Sequence, residues 1–147
     1  MSRRLPDEPL LGLLFRLLNQ QYSRDVDVAL SSAGFDISAA HSSVFVFVPP
    51  EGISVSDLAR LMQLRKQSMA EAIEHLERAG YVERRPNPAD RRSQLVFLTT
   101  RGQQVGPTAV RAGRAVERAW AGRTSDAEIE ALRQALTRLL AALRDDL

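Results

Sequence analysis

Side chains that can hydrogen-bond to the edges of DNA bases are grouped on one short segment of the chain. The group comprises Arg65, Lys66, Gln67 and Ser68, with Glu71 one helical turn further on. Gln67 can bond adenine through both atoms of its amide, while Arg65 or Lys66 can reach guanine or a phosphate. Glu71 can accept a hydrogen bond from the amino group of cytosine, or can simply repel phosphate. If these residues begin a helix, the segment predicts a surface that contacts the major groove of DNA.

A second group of charged residues lies on a predicted β-hairpin. Two segments rich in strand-forming residues, 81–85 and 94–99, flank a turn that contains two prolines. Proline cannot donate a ladder hydrogen bond, so we expect the strands to stop at the prolines and the turn to project. The charged residues are Arg84, Arg85, Asp90, Arg91 and Arg92. The arginines can contact phosphates, or can merely keep the hairpin solvated.

Two short helices with a tight connection should position the first group. Ser54 and Asp57 form a capping box, so a helix should begin directly after Ser54. Apolar residues at spacings of three and four then continue to a connector at residues 63–64 and through a second helix. Gly80 follows that helix, at a place where left-handed backbone geometry commonly ends one. The pattern is typical of a helix-turn-helix.

Four segments of this region resemble, in order and in spacing, the MarR family of winged-helix regulators. They are Asp-Leu-Ala at 57–59, Leu-Glu-Arg-Ala-Gly-Tyr-Val at 76–82, Asp-Arg-Arg-Ser at 90–93 and Leu-Thr-Thr-Arg-Gly at 98–102. One departure is Arg65, which stands where relatives often have a capping serine. A lost cap costs roughly 1 kcal/mol, although a DNA phosphate can bind the N–H groups that remain free.

The resemblance implies a mainly α (α+β) fold, a winged helix-turn-helix with a two-stranded β wing between N- and C-terminal dimerisation helices. Residues 1–147 would form a single MarR-like domain. Within it, residues 37–101 would be the DNA-binding part, and residues 9–33 and 103–147 the dimerisation helices.

The resemblance also implies a function. The protein would be a sequence-specific DNA-binding transcriptional regulator, with repression as the family's usual mode, that binds a pseudo-palindromic operator as a homodimer. In the family, the residue matching Asp90 braces the wing tip and the one matching Arg92 enters the minor groove. Family members are commonly released by small aromatic or phenolic effectors. By family position, the candidate effector-binding residues are Phe15, Tyr22, His41, Phe45 and Trp120.

An alternative is a winged-helix protein-interaction module without its own operator. Such a module would present an acidic or apolar recognition face. Glu71 favours this alternative slightly, whereas Lys66 and Arg92 favour DNA.

The first and last predicted helices carry more apolar surface than one small core needs. The first, from about Pro9 to Ser32, has a wide apolar arc. The last begins at a capping box on Ser125 and has a seam made of Ile129, Leu132, Leu136, Leu139 and Leu143, with Leu140 and Leu147 beside it. Such seams pack against a partner helix, so we predict that both helices dimerise. Ordinary packing within one chain is the alternative.

Two segments between these helices need separate predictions. Residues 44–48 are rich in β-branched and aromatic residues, which favours a strand, but a cap at Ser38 and the family order favour a helix from Ala39 to about Val48. We predict the helix. A further helix, capped by Thr99 or Thr100, should be kinked by Pro107, which lacks a backbone donor.

Composition and charge narrow the classes of function. The 147 residues are 44% hydrophobic and include no cysteine, which indicates one domain and excludes disulfides and thiolate metal sites. Residues 60–101 hold nine Arg or Lys and five Asp or Glu, a charge of +4 in a chain of +2. No catalytic constellation, phosphate-binding glycine loop or metal motif is present, so we predict no enzyme, no metal and no cofactor. No signal peptide or membrane segment is present in the sequence, so we expect a cytoplasmic protein.

Overall fold

The computed structural model describes residues 5–144, except for the side chains of Ala39 and Ala40. Leu147, predicted beside the last seam, lies outside the described residues. The elements are α1 (Leu11–Ser32), α2 (Ala39–Ser42), α3 (Val44–Phe47), β1 (Ile53–Ser54), α4 (Val55–Leu61), α5 (Lys66–Arg78), β2 (Val82–Asn87), β3 (Asp90–Leu98), α6 (Thr100–Ala121) and α7 (Asp126–Leu143). The predicted mainly α fold with a winged helix-turn-helix is confirmed.

Local hydrogen bonds explain the tight connection between α4 and α5. The Asp57 N–H donates to Ser54 Oγ at 3.1 Å and so caps α4, as predicted. At the other end of α4 the chain turns at Gln63, whose φ of 52° lies in the left-handed region. The turn lets the Leu64 N–H donate to the Ala59 carbonyl at 2.8 Å. A helix end of this kind usually uses glycine, so Gln63 holds a mildly strained backbone at the centre of the motif.

A similar end to α5 delivers the chain into the sheet. Gly80 has a φ of 81°, and the Tyr81 N–H donates to the Leu76 carbonyl at 2.9 Å. This places Tyr81 and Val82 inside the reader core, which we define as the buried cluster under the helix-turn-helix. Its fully enclosed side chains include Val44, Leu58, Met69, Ile73, Leu76, Tyr81, Val82, Val96 and Val105. Burial of each such side chain contributes about 1.5–3 kcal/mol, so this core fixes the orientation of α5.

The predicted two-stranded wing is present as β2 and β3, and a third strand that was not predicted joins it in a sheet of order β1-β3-β2. The additional strand β1 pairs antiparallel with β3, with Ile53 opposite Val96 and Ser54 opposite Leu95. Two residues are too few to display the alternating pattern by which strands are recognised. The pairing ties the start of α4 to the base of the wing.

Strand β2 continues through Pro86 and ends at Asn87, before Pro88, so the expectation that the strands stop at the prolines is wrong for Pro86. Pro86 pairs with Gln94. The backbone N–H of Arg84 points away from β3 and donates to the Glu77 carboxylate at 3.2 Å. Because N–H directions alternate along a strand, residue 86 faces the same outer side, and its missing N–H removes no ladder bond. A register shift between Pro86 and Asn87 then ends the regular pairing.

The ambiguous segment before the wing is helical, and the strand alternative is wrong. It forms two short helices, α2 and α3, separated at Ser43 rather than one continuous helix. Ser38 occupies the N-cap position of α2, but its side chain makes no capping hydrogen bond. Val44 and Phe45 are buried in the reader core, which explains why this helical segment contains β-branched and aromatic residues.

Helices α1 and α6 pack against each other in a second, smaller core. It contains Val26, Leu30, Ala112 and Val116, with Tyr22 and Trp120 at its edge. Thr99 caps α6 by accepting the Gly102 N–H at 3.1 Å, and α6 runs on as one helix that includes Pro107.

Helix α7 lies against α6 and exposes most of its surface. The Arg133 guanidinium on α7 joins the Glu117 carboxylate on α6 at 2.7 Å, and this contact lowers the pKa of Glu117. Ser125 caps α7, as predicted, by accepting the Glu128 N–H at 3.1 Å. No helix within residues 5–144 is long and apolar enough to cross a membrane.

Candidate DNA interface

The N-terminus of α5 presents both backbone donors and cationic side chains to solvent. Arg65 is the N-cap residue and its side chain makes no capping hydrogen bond, as predicted. Arg65, Lys66, Gln67 and Ser68 are all exposed. The first N–H groups of a helix have no intrahelical partner, and the helix dipole adds partial positive charge there. The end of α5 therefore suits a phosphate flanked by base edges.

Gln67 and Glu71 lie one turn apart on the same exposed face of α5. The Gln67 Nε2 donates to Glu71 Oε1 at 3.3 Å. The carboxylate predicted either to read cytosine or to repel phosphate thus contacts the side chain predicted to read adenine.

The tip of the wing is braced by short polar side chains. Asp90 Oδ1 accepts the backbone N–H of Arg92 at 2.9 Å. Asn87 Oδ1 accepts the Ala89 N–H at 3.0 Å, and Asn87 Nδ2 donates to Ser93 Oγ at 3.0 Å. These bonds hold the backbone of the turn and leave the arginine side chains of the tip to project into solvent. Asn87 and Ser93 were not among the predicted site residues, although an asparagine next to a turn is a recognisable signal.

Arg84 and Arg85, predicted at the wing base, have different surroundings. The half-buried Arg84 guanidinium binds Glu77 on α5, with Nη2 at 2.7 Å and Nε at 3.0 Å from Oε2. This hydrogen bonding is the main reason why the pKa of Glu77 is lowered. Arg84 therefore joins the wing to α5. Arg85 is exposed, forms an ion pair with Glu83 and stacks its guanidinium 4.5 Å from the centre of the Phe97 ring.

The remaining predicted cations have no acidic partner among the described residues. Within residues 5–144, the side chains of Arg65, Lys66, Arg91 and Arg92 form no hydrogen bond or ion pair, and all four are exposed. They occupy two places, the start of α5 and the tip of the wing. Cations that are free of carboxylate partners at both places can meet phosphates without first breaking an ion pair.

The five candidate effector residues are not brought together. Tyr22 and Trp120 meet edge to face, with ring centroids 6.1 Å apart, and line an open groove of about 290 Å³ between α1, α6 and α7. Burial is the main cause of the raised pKa of Tyr22. Phe15 lies exposed on α1, whereas Phe45 is buried in the reader core against Tyr81. His41 lies elsewhere, on α2.

His41 is expected to make stability depend on pH. Burial, and secondarily the ring of His75 at 5.8 Å, lower the pKa of His41 from its ordinary 6.5. The unfolded chain then binds the proton more tightly than the folded one. The free energy of unfolding should therefore begin to fall as the pH drops through 6.5, and level off below the lowered pKa. Urea denaturation between about pH 5 and 8 measures this loss.

The matched variant is His41→Gln, which should lack this part of the pH dependence. His75→Gln should keep most of it, since burial is the larger cause of the shift. Equal slopes for wild type and His41→Gln would contradict the assignment.

Comparisons with known proteins agree with this architecture. The sequence model of the MarR family matches residues 35–93. The transcriptional regulator HosA of Escherichia coli O111:H- is 32% identical over 77 residues, which cover 52% of this chain and 57% of HosA. The multiple antibiotic resistance protein MarR of Escherichia coli K12 is 32% identical over 96 residues, 65% of either chain. The matched segments thus span less than two thirds of the length of these curated relatives.

Structural similarity extends over more of the chain. A crystal structure of mutant MarR from E. coli complexed with operator DNA has a TM-score of 0.75 and 27% sequence identity. The alignment covers 88% of this chain and 93% of that one. The family model matches the helix-turn-helix and the wing, and the structural match covers most of the chain, so the chain resembles the MarR family in both sequence and fold.

Proposed function

We propose that the protein is a transcriptional regulator that binds a pseudo-palindromic operator as a homodimer. Helix α5 would enter the major groove and the wing tip the adjacent minor groove. The observation that carries this proposal is a set of exposed cations that have no acidic partner among the described residues. They lie at two separate places, Arg65 and Lys66 at the start of α5, and Arg91 and Arg92 on the wing. A helix N-terminus with cations, glutamine and serine offers both phosphate contacts and base readout.

A homodimer is supported by apolar surface outside both cores. Large side chains on α1, at its N-cap and on α7 stay exposed, among them Leu10, Leu11, Phe15, Leu17, Leu18, Leu132, Leu136, Leu139, Leu140 and Leu143. Contiguous apolar surface on two amphipathic helices is typical of an interface. The two identical copies of α5 in a dimer would then recognise half-sites roughly 10 bp apart.

Repression is the mode we propose, as the family resemblance implies. The alternative, a protein-interaction module without an operator, is less well supported by the observed surface. The start of α5 and the wing tip carry exposed cations, whereas a module that binds basic or neutral partners would need an acidic or apolar face.

Selection of binding sites from random duplex DNA at a fixed salt concentration tests the proposal. Enrichment of an inverted repeat with half-sites about one helical turn apart is expected, together with much weaker binding of scrambled DNA. A folded protein that enriches no sequence would instead favour the interaction module.

Arg92→Ala should weaken operator binding by about 1–3 kcal/mol and leave the oligomeric state unchanged. Arg92 is exposed at the braced tip, so truncating it should remove a DNA contact without disturbing the turn. Titration of labelled operator DNA measures the loss. The control is Arg138→Ala, which removes an exposed arginine from α7, away from the reader. If both variants bind with wild-type affinity, the wing does not contact DNA.

A small aromatic or phenolic ligand, if one releases the operator, has its best-supported site in the groove at Tyr22 and Trp120. Trp120 is the only tryptophan of the chain, so its fluorescence reports on the surroundings of this groove. Titrating phenolic and aromatic acids into the protein should quench the fluorescence and release labelled operator at the same concentrations. Operator release without any change in Trp120 fluorescence would place the effector elsewhere.

A further inference from the structure

Two neighbouring side chains on α5 form a hydrogen-bonded pair whose free atoms match specific base edges. One N–H of the Gln67 amide donates to Glu71 Oε1 at 3.3 Å. The amide keeps its other N–H and its carbonyl oxygen, and the carboxylate keeps Oε2 as an acceptor. The exposed face of the pair therefore offers one N–H donor and one carbonyl acceptor from Gln67. Beside them lies Glu71 Oε2, which can only accept.

Glu71 differs from the other glutamates of the same helix. Glu74 lies 4.0 Å from the Arg78 guanidinium, and Glu77 binds Arg84 at 2.7 Å. Within residues 5–144, Glu71 has no basic partner, and Gln67 is its hydrogen-bonding partner. A carboxylate without a cation, on the face that approaches phosphates, weakens DNA binding unless it accepts hydrogen bonds from a base.

We propose that Gln67 and Glu71 act as one reading unit that selects adenine next to cytosine in each half-site; this rests on the proposed function. Glu71 is a positioning residue for the Gln67 amide, whose free N–H and carbonyl then face adenine N7 and N6. Its own Oε2 accepts from N4 of cytosine at the neighbouring base pair. Cytosine is the base whose major-groove edge offers an amino donor without an adjoining acceptor.

The pair also rejects the wrong bases. Guanine presents N7 and O6, and thymine presents O4, so each would set an acceptor against the carboxylate. Gln67 does not repel any base in this way, because its amide can rotate and present its NH2 group to a base acceptor. Glu71 thus contributes specificity mainly by excluding guanine and thymine, which is a common way in which interfaces discriminate.

The test is selection of sites from random DNA with the wild type, Gln67→Ala, Glu71→Ala and Glu71→Gln. The wild type should enrich the adenine and cytosine at neighbouring positions. Glu71→Gln can still bond Gln67 but can also donate, so it should accept guanine or thymine at the cytosine position with about tenfold less discrimination. Glu71→Ala should relax both positions. The control Glu74→Gln, on the same helix, should keep the wild-type profile.

The affinities of the variants for the selected site show whether Gln67 and Glu71 act together or read their bases independently. If the pair acts as a unit, the double variant Gln67→Ala/Glu71→Ala should lose little more discrimination than Glu71→Ala alone, because that variant already relaxes both positions. Additive losses would overturn the unit. A base profile unchanged in Glu71→Ala, with all sequences bound more tightly, would show that Glu71 merely repels phosphate. If the wild type enriches an inverted repeat, either result refutes this inference alone, whereas a wild type that enriches nothing overturns the proposed function as well.

Discussion

Replacing Gly102 with alanine is expected to destabilise the fold by about 3 kcal/mol, near the upper end of typical overpacking penalties. A Cβ at this position would overlap the carbonyl oxygen of Tyr81 and lie 3.1 Å from its carbon. That carbonyl cannot move freely, because it accepts the Thr99 N–H at 3.1 Å and Tyr81 itself is buried. The first turn of α6 would have to move away from the sheet. This movement would loosen the packing between α6 and the winged helix-turn-helix.

The matched control is Gly106→Ala, one turn further along the same helix. Among the described residues, its Cβ would meet only the Phe45 carbonyl oxygen, at 3.9 Å. The gain in helix propensity, about 1 kcal/mol, is opposed by crowding from the following Pro107, so its stability should stay within about 1 kcal/mol of wild type. Urea denaturation of both variants measures the difference. Similar stabilities for the two variants would show that the Gly102 contact is not needed.

Leu139→Glu is expected to convert the proposed dimer to monomer and to reduce operator affinity by about 100-fold or more, since each half-site is bound weakly alone. Leu139 lies on α7 with 44% of its surface exposed, and other leucines surround it on the same face. Burial against a partner would contribute about 1.5–3 kcal/mol for each such leucine, and a buried carboxylate would oppose it strongly. Because Leu139 is solvent-exposed within the single chain, the fold itself should be retained.

Analytical ultracentrifugation of Leu139→Glu measures the oligomeric state, and circular dichroism verifies folding. Ala141→Glu introduces the same charge on the opposite side of α7, because residues two apart on a helix face nearly opposite directions. This control should remain dimeric and bind the operator normally. A Leu139→Glu protein that is still dimeric would place the interface elsewhere on the chain.

Some features of the winged helix-turn-helix and its flanking helices were predictable, because the sequence patterns that indicate them are local. The caps at Ser54 and Ser125, the glycine at the end of α5 and the missing cap at Arg65 each depend on residues within about one helical turn. The charge of the wing tip and the start of α5 was equally visible in the sequence. Which cations are free was not visible, since Arg84 and Arg85 look alike until Glu77 is brought beside one of them.

The sequence by itself determined the helix-turn-helix, the wing and the helices on either side of them, and it identified the residues proposed to contact DNA. Only the tertiary structure decided the third strand β1, the continuation of β2 through Pro86, the pairing of His41 with His75 and the need for glycine at residue 102. The physical reason is the distance along the chain between the interacting groups. A cap or a periodic stripe is complete within a few residues, whereas these contacts form only when the reader core has folded and brought remote segments together.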